Sequence, residues 1–223
     1  MASFIVGVLS SLAASLVAVA ASWMLSRHVR GAGVRLLARA TGVGIDRFYP
    51  HQKEAEADLV EEISRARWLK VVAGRGNEFT RGMLARAWQE GRLESARFLL
   101  PAPGGGRDSW LHRRESAVRR SDPGLYEGML AEQVRTNAHY LTELGEEQGG
   151  VQVRFYELPN TLRIVLTDRA AFITFYREEE HGRDSPCIRA PFPGALYEFA
   201  RDFFSAVWEA GSGPPRAEPP LDA

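Results

Sequence analysis

The stretch VQVRFYELPNTLRIVLTDRAAFITFY, residues 151–176, contains three successive runs of β-branched and aromatic residues. Val151–Leu158 alternates apolar with polar, Leu162–Thr167 is nearly all apolar, and Ala171–Tyr176 is apolar again. Asp168-Arg169-Ala170 stands as a tight turn between the last two runs. Three closely spaced strands are therefore expected here. Upstream, Trp68–Ala73 is a short apolar run ended by Gly74, and Ala96–Leu100 is another, stopped by Pro101; both read as buried strands. Helical spacing fills the intervals. It covers His51–Ala66 (Ala55, Leu59, Ile63), Phe79–Glu90 (Phe79, Met83, Leu84, Trp88) and Asp108–Arg120. It continues in a long helix from Pro123 to Leu144 and a last one over Leu196–Ala210 (Phe199, Phe203, Val207, Trp208). Glu178–Ser185 reads as a charged loop. Strands alternating with helices predict an α/β domain with a mixed, largely parallel sheet and helices on both faces.

The chain has 223 residues, 28 basic against 28 acidic ones, and one cysteine. One domain plus an appendage fits that length. Zero net charge argues against coating nucleic acid by bulk electrostatics, while a local basic site stays open. The single Cys187 excludes an internal disulfide and any cysteine-based zinc cluster. Of the 28 basic residues only Lys53 and Lys70 are lysine, which reads as the codon bias of a GC-rich genome.

Phe4–Leu25 is an uncharged run of 22 residues with nothing more polar than serine. As a helix it reaches roughly 33 Å, enough for a hydrocarbon core of about 30 Å. A cleaved signal peptide is the competing reading, since Ala20-Ala21-Ser22 offers small residues, but no basic residue precedes the run. Arg27, Arg30, Arg35, Arg39 and Arg47 follow it. The positive-inside rule then puts the N-terminus outside and the rest in the cytoplasm. The expected layout is a transmembrane helix over 4–25, a basic juxtamembrane linker over 26–47, a cytoplasmic domain over 48–210 and a disordered proline-rich tail over 211–223. Val34, Leu36 and Leu37 allow an amphipathic segment in the linker; a plain topology-setting linker is the alternative. Gly7, Ser11 and Ser15, like Ala14, Ala18 and Ser22, fall at four-residue spacing, which suits close approach of two helices and a homodimer.

His28, His51, His112, His139 and His181 are scattered without metal-ligand spacing, so no metal is expected, and no cofactor. Gly74-Arg75-Gly76 follows a strand, but position 79 is Phe where the dinucleotide fingerprint has its third glycine. The arginines at strand ends are the candidate ligand-binding residues. Arg75 and Arg81 flank the turn after the first strand, and Arg163 lies on the fourth. In an open α/β sheet such ends form the ligand crevice, and guanidinium forks suit phosphate. The alternative pairs these arginines with the acids of 54–62 or 178–180 on a solvated face. Trp68, Trp88, Phe203 and Trp208 read as core and not as a stacking platform.

The frame Thr161-Leu-Arg163, then Ile-Val-Leu-Thr, then Asp168, followed by a turn and a strand, resembles the signature of the phospholipase D-like superfamily. There a strand carries His-x-Lys, four residues, then Asp. Leu69–Gly74, Arg97–Leu100 and the closing Ala195–Trp208 helix resemble the rest of one half-domain, so the resemblance covers about residues 50–210. It implies that Thr161, Arg163 and Asp168 stand at the motif positions. It also implies that Thr161 replaces the histidine that attacks phosphorus in the family. A threonine lacks that nucleophilicity without an adjacent base, whereas Arg163 keeps the cationic position. The resemblance implies a degenerate domain that binds a phosphate-bearing ligand (a small molecule such as a nucleotide, a nucleic-acid end or a lipid headgroup) without hydrolysing it, and association of two copies. An active membrane-bound phosphodiesterase, with His112 or His139 substituting, is the alternative.

Overall fold

The computed structural model describes Ser15 and residues 41–90, 93–122, 124–159, 161–177 and 181–213. The expected transmembrane helix (Ser15 aside), the linker before residue 41, residues 178–180 of the charged loop and the tail beyond 213 lie outside the described residues. Among the described residues no helix is long and apolar enough to cross a membrane.

The chain folds into one seven-stranded mixed sheet with helices on both faces. In chain order the strands are β1 (Arg47–Tyr49), β2 (Trp68–Val72), β3 (Ser95–Pro101), β4 (Val151–Tyr156), β5 (Leu162–Thr167), β6 (Ala170–Phe175) and β7 (Cys187–Pro191). Their order across the sheet is β1-β7-β6-β5-β2-β3-β4. The helices are α1 (Glu56–Ser64), α2 (Asn77–Thr80), α3 (Gly82–Gln89), α4 (Trp110–Ser121), α5 (Met129–Gln148) and α6 (Ala195–Ala210). β5 is buried along almost its whole length because it sits mid-sheet with both faces covered, which explains the apolar run Ile164–Leu166.

The sheet is not largely parallel. Only β2–β3 and β3–β4 pair parallel; β2–β5, β5–β6, β6–β7 and β1–β7 are antiparallel. Connection length accounts for this. Parallel neighbours need long crossovers, and α2–α3 and α4–α5 supply them. Two residues between β5 and β6, and five between β4 and β5, are too short for a crossover, so those strands reverse. β1 and β7 were not expected as strands: β1 has three residues, and β7 lies in the proline-containing Pro186–Pro191 segment. Domain limits shift accordingly. Ala195 and Leu196 N–H groups bond to Gly42 and Val43 carbonyls, and Ser212 bridges to Phe155, so the folded unit takes in residues assigned by sequence to linker and tail.

Two helix boundaries also move. The segment expected as one helix from Phe79 breaks at Gly82, which has φ +82°, giving α2 and α3. The long helix begins at Met129 and not at Pro123. The buried Glu115 carboxylate accepts the Gly128 and Leu130 N–H groups at 2.8 and 2.7 Å and caps α5 there.

Each face has its own core. On one, Phe79 and Trp88 flank Phe98 at 5.7 and 5.6 Å, and the Trp88 indole donates to the Phe79 carbonyl at 2.8 Å. Ile63, Val134, Leu141 and Val165 complete that side. On the other, α6 lays Tyr197, Phe204, Val207 and Trp208 over Ile164, Leu166, Ile173 and Ile188. Trp88 and Trp208 are buried, as expected of core residues, while Trp68 and Phe203 pack partly buried at its margin.

Where residues 42–45 cross the start of α6, Gly44 (φ +71°) would bring a Cβ to 2.9 Å from the Gly194 Cα. Gly44→Ala should therefore destabilise by about 1–3 kcal/mol, from left-handed strain plus a backbone clash. Chemical denaturation that shows no loss would mean this crossing is not fixed in solution.

Candidate functional site

A cavity of about 480 Å³ opens beyond the carboxyl end of β2 and is roofed by α4 and the start of α5. Its floor is the turn Ala73–Phe79, with Arg163 from the amino end of β5 and Tyr176 beyond β6. β5 runs antiparallel to β2, with Val72 opposite Ile164, and this brings Arg163 to that end of the sheet.

The turn is held from α5. Asn137, 2% exposed, donates to the Arg75 carbonyl at 2.9 Å and to the Asn77 side-chain oxygen. Its own oxygen accepts from Thr80 at 2.9 Å. One helical turn earlier, Gln133 accepts from the Arg75 guanidinium at 3.0 Å. Gly76 has φ +82°, and a Cβ there would meet Leu100 Cδ2 at 3.1 Å, so only glycine lets the turn lie this close to β3.

Arg163 is 2% exposed, stacks 5.5 Å from the Phe79 ring and pairs with the Glu78 carboxylate. Glu78 also accepts from Gln52 Nε2 at 2.9 Å, leaving the buried Gln52 Oε1 without a partner. Burial pushes the Tyr176 hydroxyl above its ordinary range, opposed by the Arg163 charge and reinforced by Glu78, so Tyr176 stays a neutral hydrogen-bonding group. At the rim, His181 Nε2 stands 3.4 Å from Asp122 Oδ2, and Arg183 stands 3.6 Å from Asp184. Arg114 lines the same wall and donates to the Arg177 carbonyl at 2.9 Å.

Of the expected ligand-binding arginines, Arg75 and Arg163 meet in this cavity. Arg81 does not: it sits extended and exposed between α2 and α3, and is not part of the lining. Thr161 and Asp168 are also elsewhere. Thr161 is exposed and bound through its backbone, its carbonyl accepting from the Tyr176 N–H at 2.9 Å. Asp168 ends β5 at the far side of the sheet, where it accepts from the Arg67 N–H at 3.0 Å. The motif-position residues thus form no single cluster. Arg163 pairs neither with the α1 acids nor, among the described residues, with any acid except Glu78. His112 and His139 do not line the cavity; His139 instead pairs with Glu143 on the exposed face of α5.

Glu78, Gln133, Asn137, Tyr176 and His181 were not singled out from the sequence. The i, i+4 spacing of Gln133 and Asn137 on one helix face was a readable signal. The pairing of Glu78 with Arg163 spans 85 residues and carried none. No group of three or more His, Cys, Asp or Glu able to hold a metal occurs among the described residues.

No family model matches the chain, and no curated protein matches it. Solved structures show a distant likeness, among them these three. TrmBL2, described as an archaeal chromatin protein with a novel mode of DNA binding, is 12% identical with a TM-score of 0.46, covering 95% of this chain and 68% of that one. Nuc, a phospholipase D family member from Salmonella typhimurium, is 10% identical with a TM-score of 0.42, covering 72% and 90%. NucT from Helicobacter pylori is 13% identical with a TM-score of 0.44, covering 73% and 92%.

Proposed function

We propose that this chain is a membrane-anchored binding protein. Its phospholipase D-like domain would hold a phosphate-bearing ligand in the Arg75–Arg163 cavity without cleaving it. The observation that carries this reading is the state of Arg75. It faces the cavity, pairs with the neutral Gln133 and has no carboxylate partner among the described residues, so its charge is free for an anion. Among the described residues, Arg75, Arg114, Arg163 and Arg183 line the cavity with the carboxylates Glu78 and Asp122, and guanidinium forks of this kind suit a phosphate. Residues 4–25 would hold the chain in the cell membrane with the domain in the cytoplasm, and two copies would associate.

Glu78 has a defined part in this reading: its carboxylate pairs with the Arg163 guanidinium, and a phosphate would take its place. Glu78→Gln should then tighten binding of adenosine monophosphate or pyrophosphate about tenfold, near 1.4 kcal/mol. Titration calorimetry of the wild type and the variant measures this, and an unchanged or weaker affinity would sink the displacement idea.

A second reading, an active phosphodiesterase, draws on one observation. His181, beside Asp122, lines the same cavity, and an imidazole is the side chain most used for general acid–base catalysis. Product formation from bis(p-nitrophenyl) phosphate that is lost in His181→Ala would favour it.

A further inference from the structure

The α6 side of the sheet is only half covered. β1 pairs Phe48 with Ile188, and Ile188 pairs with Ile173, so these three point to one face. Phe175, two residues beyond Ile173, points the same way. Ile173 and Ile188 belong to the core under α6, so Phe48 and Phe175 are on its side, yet 59% and 42% exposed. α6 itself is lopsided. A 3.6-residue turn puts Glu198, Arg201 and Asp202 on one flank and Leu196, Phe199 and Phe203 on the other. The polar flank faces the Asp168 end of the sheet, where the Tyr197 hydroxyl donates to the Thr167 carbonyl and feels the Asp168, Glu198 and Arg201 charges. The apolar flank therefore looks toward Phe175. Phe199 there is 49% exposed, and Phe192 and Val43 stand exposed at the amino end of the helix.

We propose that this apolar face rests on the bilayer that holds residues 4–25; the inference depends on the anchoring reading. Three observations select a lipid surface as the occupant. The chain reaches the domain at this face, through the Gly42 and Val43 carbonyls bonded to the first turn of α6. Only 15 residues, 26–40, separate it from the end of the apolar run. Arg27, Arg30, Arg35 and Arg39 fall within those 15 residues, a density of cationic groups that suits anionic headgroups. The run 4–25 is uncharged all round, so half a protein face leaves most of it bare, whereas a bilayer covers it fully and the phenylalanines with it.

The consequence concerns the ligand. Val165 belongs to the core of the opposite face, and Arg163, two residues away on β5, shares that face with α4 and α5. With the α6 side on lipid, the cavity opens away from the bilayer, toward soluble phosphate compounds and not the headgroups beneath.

The test uses the full chain in vesicles of phosphatidylcholine with phosphatidylglycerol. Cys187 is 1% exposed, so an environment-sensitive fluorophore can be directed to Phe199→Cys, Phe48→Cys and, on the outer face of α5, Thr136→Cys. Flotation first reports anchoring. Lipid-attached nitroxide quenchers should then remove most of the emission at positions 199 and 48 and leave 136 bright. Flotation with equal quenching at all three sites overturns the docking proposal and leaves the anchor standing. A disulfide between two copies at position 199, without quenching, overturns it in favour of a second copy. Failure to float overturns the anchor and the docking together.

Discussion

Glu62→Ala is expected to lower the melting temperature of the full chain by about 10 °C. Glu62 is 7% exposed on α1 and its carboxylate joins three separate parts of the fold. It accepts from Arg169 Nε at 3.0 Å in the β5–β6 turn, from Arg189 Nη2 at 2.8 Å on β7 and from Thr167 Oγ1 at 3.2 Å at the end of β5. Arg189, mostly buried, also holds Asp46 ahead of β1 and lies 5.9 Å from the Phe172 ring. Removing one partner from a buried pair leaves the other charge uncompensated, a loss of about 3–5 kcal/mol. Against a total stability of about 5–15 kcal/mol this is a large fraction. For a domain of this size each kcal/mol shifts melting by roughly 2–4 °C. Part of the loss is recovered by water at Arg169, which is 42% exposed, so the lower end of that range applies. Glu62→Gln should fall between, because the amide oxygen still accepts one bond. A shift under about 3 °C for the alanine variant would show that the sheet edge holds without this carboxylate.

The second large effect concerns ligand affinity. Arg75→Ala should weaken binding of a phosphate ligand by about a hundredfold, the loss of one charge-assisted contact of roughly 1.5–3 kcal/mol. Its effect on folding should stay under about 1 kcal/mol, since among the described residues its side chain bonds to Gln133, which is part-buried and can meet water. This separation makes Arg75 a cleaner probe than Arg163. Arg163 packs on Phe79 and pairs with Glu78, so Arg163→Ala removes core packing and binding together. Calorimetric titration and thermal unfolding on the same Arg75→Ala sample distinguish the two roles. Equal losses in both would make Arg75 a structural residue.

Much of this was visible in the sequence because local pattern and final environment agree. The apolar runs of β2, β3 and β5 are central strands buried from both sides, and α6 shows its apolar spacing because it covers one face. What escaped depends on long-range pairing. β1 is a strand only because β7 offers its free edge, and β7 follows Pro186 and ends on Pro191, residues that mark loops elsewhere. Sheet direction was misjudged because alternation of helix and strand suggests crossovers, while the 157–161 and 168–169 connections are too short to make one. Within the site, Arg75 and Arg163 were accessible as strand-end cations. Arg81 is two residues past the Glu78-Phe79 part of the same turn and still points away, because Gly82 redirects the backbone. Glu78 gave no signal; its role exists only once β5 is laid beside β2.

The most direct test of the central claim is thermal unfolding of the full chain in detergent, with phosphate compounds from several sources. These are adenosine monophosphate, a cyclic nucleotide, pyrophosphate, a 5′-phosphorylated oligonucleotide and glycerophosphoglycerol, each recovered afterwards and checked for cleavage. A ligand at 100 times its dissociation constant adds about 2.7 kcal/mol, or roughly 5–10 °C here. The account predicts such a shift with a soluble phosphate compound, its loss in Arg75→Ala and recovery of the compound intact. A shift that survives in Arg75→Ala, cleavage of the compound, or no shift with any of them would contradict it.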